Sequence, residues 1–153
     1  MSWKHALWRA VARGRWTLGP EPAPGGLRLL GYHAVGSEMV GDPYGLAVGT
    51  ADFSRQMELV ASGRFGRPVS LGEAKLDGSA ELCVTFDDGY QNTLINASAI
   101  LVRHNLPFTA CVTPGLLDSG RPYLSWDELR ELSKIPRCEI GAHGLTHARL
   151  DDL

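Results

Sequence analysis

The chain has 153 residues, of which 44% are hydrophobic and 21% are charged. These values are typical of a globular domain with a real core, and they exclude a disordered, collagen-like or coiled-coil chain. Fifteen basic residues against seventeen acidic ones leave a net charge of −2. This balance argues against general nucleic-acid binding, because proteins of that class usually present a basic face.

The cysteine content and the N-terminus bear on the cellular compartment. Cys83, Cys111 and Cys138 are odd in number and widely spaced, so they form neither a Cys-x-x-Cys zinc pattern nor a disulfide framework. This indicates a reducing compartment or buried thiols. Arg9 and Arg13 interrupt any apolar stretch of a secretory signal. We therefore predict a cytoplasmic location.

The first 16 residues differ from the rest of the chain. They carry four basic and no acidic side chains, and Trp3 and Leu7 share one helical face. The pattern predicts an amphipathic helix that either docks on its own domain or lies on an anionic membrane surface as a peripheral contact. A Pro/Gly-rich linker follows. We therefore predict a division into residues 1–26, helix and linker, and residues 27–153, a folded domain.

Strands and helices are predicted to alternate after the linker. A buried strand over 27–32 and a long loop over 34–49 precede a helix capped by Thr50, with its apolar face at Phe53, Met57 and Val60. Further strands are predicted over 69–71, 81–86, 108–113 and 138–142, and further helices over about 91–104 and from the capping box 125–128 to before Pro136. This order predicts an α/β fold with parallel strands.

Acidic and histidine side chains come directly after two of the predicted strands. Asp87 and Asp88 follow the strand 81–86, whereas His143 and His147 follow the strand 138–142. Parallel strands end at one edge of a sheet, where α/β proteins build their sites. Two imidazoles and a carboxylate are the ligand set of a catalytic zinc or ferrous site. Alternatively, Asp-Asp-Gly forms only a helix-opening turn and the histidines are ordinary loop residues.

Two segments resemble a known family. The segment 85–90 (TFDDGY) looks like the first motif of the polysaccharide deacetylases, also called carbohydrate esterase family 4 or the NodB-homology domain. The segment 143–147 (HGLTH) looks like their second motif, His-Ser/Thr-x-x-His. The segments 31–35 and 124–129 are also similar, and the resemblance covers about residues 27–153. It implies a deformed parallel β/α barrel.

The resemblance also implies roles for the four polar residues. Asp88, His143 and His147 would bind a divalent metal, with Zn²⁺ expected and other transition metals as alternatives. Asp87 would be the general base that takes a proton from the attacking water. The reaction would be hydrolysis of an N-acetyl or O-acetyl group on a sugar of a glycan, so the expected partner is a glycan or aminosugar.

The sequence departs from the family pattern in two respects. Gly144 stands where the family usually has Ser or Thr, whose hydroxyl would brace the loop between the histidines, and Thr146 is a partial substitute. The family's later motifs, which supply a groove wall and a catalytic-acid histidine, are not found before Leu153, so we expect a barrel that is incomplete at its C-terminus. The segment 121–123 (RPY) precedes the histidines and does not match the groove motif.

Two rival functions stay open from sequence. The first is a non-catalytic metal- or carbohydrate-binding remnant of a deacetylase, which the unmatched later motifs favour. The second is a metal-dependent hydrolase of another amide, because the three ligands do not encode the substrate. His33 follows the predicted strand 27–32 at the same sheet edge, where it is either a hydrogen-bonded loop residue or a neighbour of the site.

Overall fold

The computed structural model describes residues 25–36, 42 and 45–148. Seven strands occur in this part of the chain: β1 (Leu27–Tyr32), β2 (Ala34–Val35), β3 (Ala47–Val48), β4 (Arg67–Pro68), β5 (Glu81–Phe86), β6 (Phe108–Val112) and β7 (Cys138–Ala142). The α-helices are α1 (Thr50–Ala61), α2 (Ser98–Arg103) and α3 (Trp126–Leu132), and a π-helical turn, Thr93–Ala97, leads into α2. A short 3₁₀ turn, Pro114–Leu116, follows β6.

The main sheet contains five strands, all paired in parallel. Its order is β1-β5-β6-β7, and β4 pairs with the beginning of β5. Because β1 and β4 both pair with Glu81 and Leu82, they lie on opposite sides of β5. The short strands β2 and β3 form a separate parallel pair. The carboxyl ends of β1, β5, β6 and β7 therefore meet at one edge, as the α/β prediction requires.

The core lies between this sheet and the helices. All six residues of β5 are buried, and three aromatic rings pack around its last residue, Phe86. Phe86 lies 5.7 to 5.9 Å, between ring centres, from Tyr32, Phe53 and Phe108. Aromatic pairs at this spacing stabilise a core beyond their buried area. The cluster consequently holds the carboxyl end of β5 firmly, directly before Asp87.

Most of the predicted elements are confirmed, and the exceptions have local causes. The strands 27–32, 81–86 and 138–142 have the predicted bounds, and Phe53, Met57 and Val60 are buried on α1. Thr50 was predicted as the cap of α1 but is its first residue, because Gly49 occupies the cap position. The predicted loop over 34–49 contains β2 and β3.

The strand predicted over 69–71 is wrong by two residues. The pairing with β5 runs from the Arg67 N–H, which donates to Ala80, to the Val69 N–H, which donates to Leu82. Pro68, which has no N–H, lies between these two donors, at a position where the pairing with β5 requires no N–H group. The chain then turns away at residues 71–73. The strand is consequently Arg67–Pro68.

The predicted capping box at the start of α3 is present. The Glu128 N–H donates to the Ser125 hydroxyl at 3.1 Å, and the Ser125 N–H donates to the Glu128 carboxylate at 2.8 Å. The predicted hydrophobic pair that flanks the box, Leu124 and Leu129, is buried in the core.

Ser125→Ala is expected to lower the free energy of unfolding by about 1 kcal/mol, because it removes the side-chain acceptor of this cap. Urea denaturation with an unchanged slope measures the loss. Ser133→Ala is the matched control, since the Ser133 hydroxyl donates to an exposed carbonyl, that of Arg130, at the other end of the helix. A midpoint equal to that of the wild type would contradict a stabilising cap.

The predicted N-terminal helix and most of its linker, residues 1–24, lie outside the described residues. Backbone pairing with the sheet begins at Gly26, whose carbonyl accepts the Glu81 N–H. In the part of the chain that the structure describes, no helix combines the length and the apolar character needed to traverse a bilayer. The membrane contact and the domain boundary stay predictions.

Candidate functional site

The two acidic residues of the first motif lie in a sharp turn at the end of β5. The Asp87 N–H donates to the Tyr32 carbonyl and so extends the β1–β5 pairing by one residue. Asp88 and Gly89 then adopt left-handed φ angles of 70° and 85°. Such an angle is uncommon for a residue with a side chain, and it persists only where the surroundings hold it. The turn leaves Asp87 half-buried and Asp88 buried.

The histidines lie in the loop that follows β7. The His143 N–H donates to the Val112 carbonyl at 2.8 Å, so His143 continues the β6–β7 pairing. The loop then turns through Gly144, with φ 73°, and His147, with φ 57°. These two turns bring His147 back toward His143, and their ring centres are 5.4 Å apart.

The structure brings together the three predicted ligands. Asp88 Oδ1 is 3.4 Å from His143 Nε2 and 3.2 Å from His147 Nε2, and one ligand atom from each residue lies within 4.8 Å of the others. The Asp88 side chain is only 8% exposed, whereas those of His143 and His147 are 38% and 53% exposed. The carboxylate thus forms the floor of the group and the imidazoles form its rim.

The donor set fits a divalent metal ion. Asp88 Oδ1 is buried and has no hydrogen-bond partner among the described residues, so the two imidazole contacts do not satisfy it as hydrogen bonds. Leaving a buried acceptor unsatisfied costs about 1–3 kcal/mol, and more for a charged group. Two donors bonded to one tetrahedral Zn²⁺ lie roughly 3.4 Å apart, close to both observed separations. A cation at this point would satisfy the orphaned oxygen.

Asp87 and His33 occupy neighbouring positions at the same edge. Tyr32 pairs with Phe86 in the parallel register, so His33 and Asp87 each follow directly after this pair. Both residues are half-buried. In the β5–β6 register, Asp87 is next to Cys111, whose thiol pKa is raised first by burial and then by the Asp87 charge.

The cysteines do not join the ligand group within the described residues. Cys83 is fully buried, and burial raises its thiol pKa. Burial also raises the pKa of Cys138 to about 12. A thiol with a raised pKa stays protonated and is a poor metal ligand. Of the three, Cys83 is buried in the core as expected, whereas Cys111 and Cys138 are half-buried.

Sequence reasoning missed two segments that contact the motifs. The first follows β6: the Thr113 hydroxyl donates to the His143 carbonyl and the Gly115 N–H donates to the Leu145 carbonyl. The sequence indicates this segment only weakly, because Thr113 is one of several polar residues that follow parallel strands.

The second missed segment is 121–124, which pairs with the first motif. The Gln91 N–H donates to the Pro122 carbonyl, and the rings of Tyr90 and Tyr123 stack with centres 5.0 Å apart. The segment does not match the family's groove motif in sequence, yet the Leu124 N–H donates to the Gly89 carbonyl and holds the segment beside the first motif.

Comparison with known proteins decides the family. A family model described as polysaccharide deacetylase matches residues 77–153, half of the chain, and the match contains both motifs. The chain belongs to the polysaccharide deacetylase family. No curated protein matches this deacetylase-family chain significantly.

Solved structures share its fold. The Streptococcus pyogenes deacetylase PplD, in complex with acetate, is similar with a TM-score of 0.67 at 19% identity over 86% of this chain and 62% of its own. A polysaccharide deacetylase from Bacillus cereus is similar with a TM-score of 0.68 at 24% identity, over 83% of this chain and 42% of its own. IcaB from Ammonifex degensii is similar with a TM-score of 0.61 at 27% identity, over 78% of this chain and 53% of its own.

These likenesses confirm the α/β fold class with a parallel sheet. The deacetylase-family chain described here spans less than two thirds of the length of each of these structures.

Proposed function

We propose that this deacetylase-family protein is a metal-dependent hydrolase that removes acetyl groups from N-acetylated, or O-acetylated, sugars of a glycan. The observation that carries the proposal is the buried, unsatisfied Asp88 Oδ1, which faces two half-exposed imidazoles. Family membership supports the choice of acetylated glycan as substrate.

Asp88, His143 and His147 would hold a divalent ion, for which we propose zinc. The chemistry that such an ion supplies when bound is polarisation of the acetyl carbonyl and a lowered pKa of water, towards ~7. The two histidine side chains are partly exposed, so water and substrate could reach this group from their side. The buried carboxylate and the pairing of His143 with β6 keep this group oriented.

Asp87 is the proposed general base. It directly precedes Asp88 in the turn after β5, and it is not one of the three residues of the ligand group. A carboxylate that is not bound to the cation remains basic enough to accept the proton of the attacking water. The rigid aromatic packing around Phe86 would hold Asp87 in place while the proton moves.

We also propose the division of the chain into an N-terminal segment and a deacetylase domain. Residues 27–153 would form the deacetylase domain, because β1 begins at Leu27 and both motifs lie within this range. Residues 1–26 would form a separate N-terminal segment.

The test is acetate release from an N-acetylglucosamine oligomer and from an O-acetylated one. We expect release from at least one, its loss after chelation, and its recovery with added Zn²⁺. Metal or sugar binding without acetate release would instead favour the non-catalytic alternative. Hydrolysis of a simple amide with neither oligomer accepted would favour the other-amide alternative.

A further inference from the structure

We propose that Thr113 and Gly115 are positioning residues that hold the histidine loop in its metal-binding shape. This inference rests on the proposed metal site. It concerns the brace of the loop 143–147, where Gly144 replaces the hydroxyl residue of the family pattern. In this chain a hydroxyl comes instead from Thr113, which follows the neighbouring strand β6.

Thr113 ties the backbones of two proposed ligands together. It is fully buried and follows β6, which lies between the strands that lead to Asp88 and His143. Its hydroxyl donates to the His143 carbonyl at 3.0 Å, and its N–H points to the Asp88 carbonyl at 3.4 Å. A shift of either ligand backbone would therefore strain a bond to Thr113.

Gly115 holds the loop at a second point. Its N–H donates to the Leu145 carbonyl at 2.7 Å, midway between the two histidines. A Cβ atom on residue 115 would lie 2.5 Å from that same oxygen. Glycine is thus required here by the close approach of two backbones. Any larger residue must push the loop away.

The loop requires such restraints because its own residues supply few. Gly144 and His147 both have left-handed φ angles, and for His147 this conformation is strained. The side chain of Thr146, the expected substitute for the missing hydroxyl, is exposed. The buried Thr113 hydroxyl and the Gly115 N–H therefore restrain the loop from outside, in place of the hydroxyl that the family pattern has inside it.

The experiment measures the affinity of the purified protein for Zn²⁺ by competition with a chromophoric chelator. Thr113→Val is expected to weaken binding by about tenfold, the lower end of the 10–100-fold range for groups that orient metal ligands. Thr113→Ser, which keeps the hydroxyl, is expected to restore it. Thr109→Val is the matched control in β6, the strand before Thr113, because its hydroxyl contacts Leu71 and Glu139 instead.

Gly115→Ala is the second variant and is expected to weaken Zn²⁺ binding at least as much. Gly31→Ala is its control, since a Cβ there would meet only ordinary contact, 3.7 Å from the Thr85 hydroxyl. Thermal melts identify which variants are folded at the assay temperature. If the wild type binds Zn²⁺ and all folded variants bind it equally, the positioning role is overturned and the metal site stands. If the wild type binds no Zn²⁺, the proposed function and this inference both fall.

Discussion

The His147→Ala variant is expected to lose its divalent metal during dialysis that leaves the wild-type protein loaded. His147 supplies one of only three side-chain donors in the proposed site, and its Nε2 lies 3.2 Å from the buried Asp88 oxygen. Two remaining donors hold a cation far less tightly, because a catalytic site normally uses three protein ligands. Elemental analysis of the dialysed proteins measures the effect.

His104→Ala is the matched control for this experiment. His104 follows the last residue of α2 and does not belong to the ligand group. We expect this variant to keep the metal. Equal metal content in the wild type and His147→Ala would remove the site from consideration, and with it the metal-dependent mechanism.

The second large effect is expected from Asp87→Asn, which should retain the metal and lower acetate release by about 10²–10⁴-fold. This is the usual contribution of a positioned general base. Asparagine keeps the size of the side chain but cannot take up the proton of the attacking water. Metal content and acetate release, measured on the same preparation, separate this role from that of a ligand.

Asp88→Asn is the comparison variant and should lose metal as well as activity, because the amide gives up the charge of the buried ligand. Asp52→Asn is the control for a carboxylate remote from the site, since Asp52 lies exposed on α1 and pairs with Arg55. If Asp87→Asn and Asp88→Asn had the same metal content, the proposed division of roles between the two acids would be wrong.

Local patterns were sufficient to predict the elements whose burial follows a simple period. The continuously buried strand over 81–86 and the apolar face of α1 are examples, because a strand buried on both faces demands an apolar run and a helix demands apolar residues at fixed spacing. The position of β4 was not predictable, because its two residues, Arg67 and Pro68, are typical of neither a buried nor an alternating strand. The π-helical turn 93–97 also has no periodic signal, since a single wider turn leaves the surrounding spacing almost unchanged.

The polar residues of the candidate site and their shared sheet edge were predictable from residue order alone, because parallel strands necessarily end together. The burial of Asp88 without a hydrogen bond, and the convergence of both histidines on it, became visible only in the folded chain. The same holds for the brace from Thr113 and Gly115, which lies 30 residues away in sequence from the loop that it supports. The physical reason is that residue type and spacing act along the chain, whereas left-handed turns, close backbone contacts and desolvation arise where distant segments pack together.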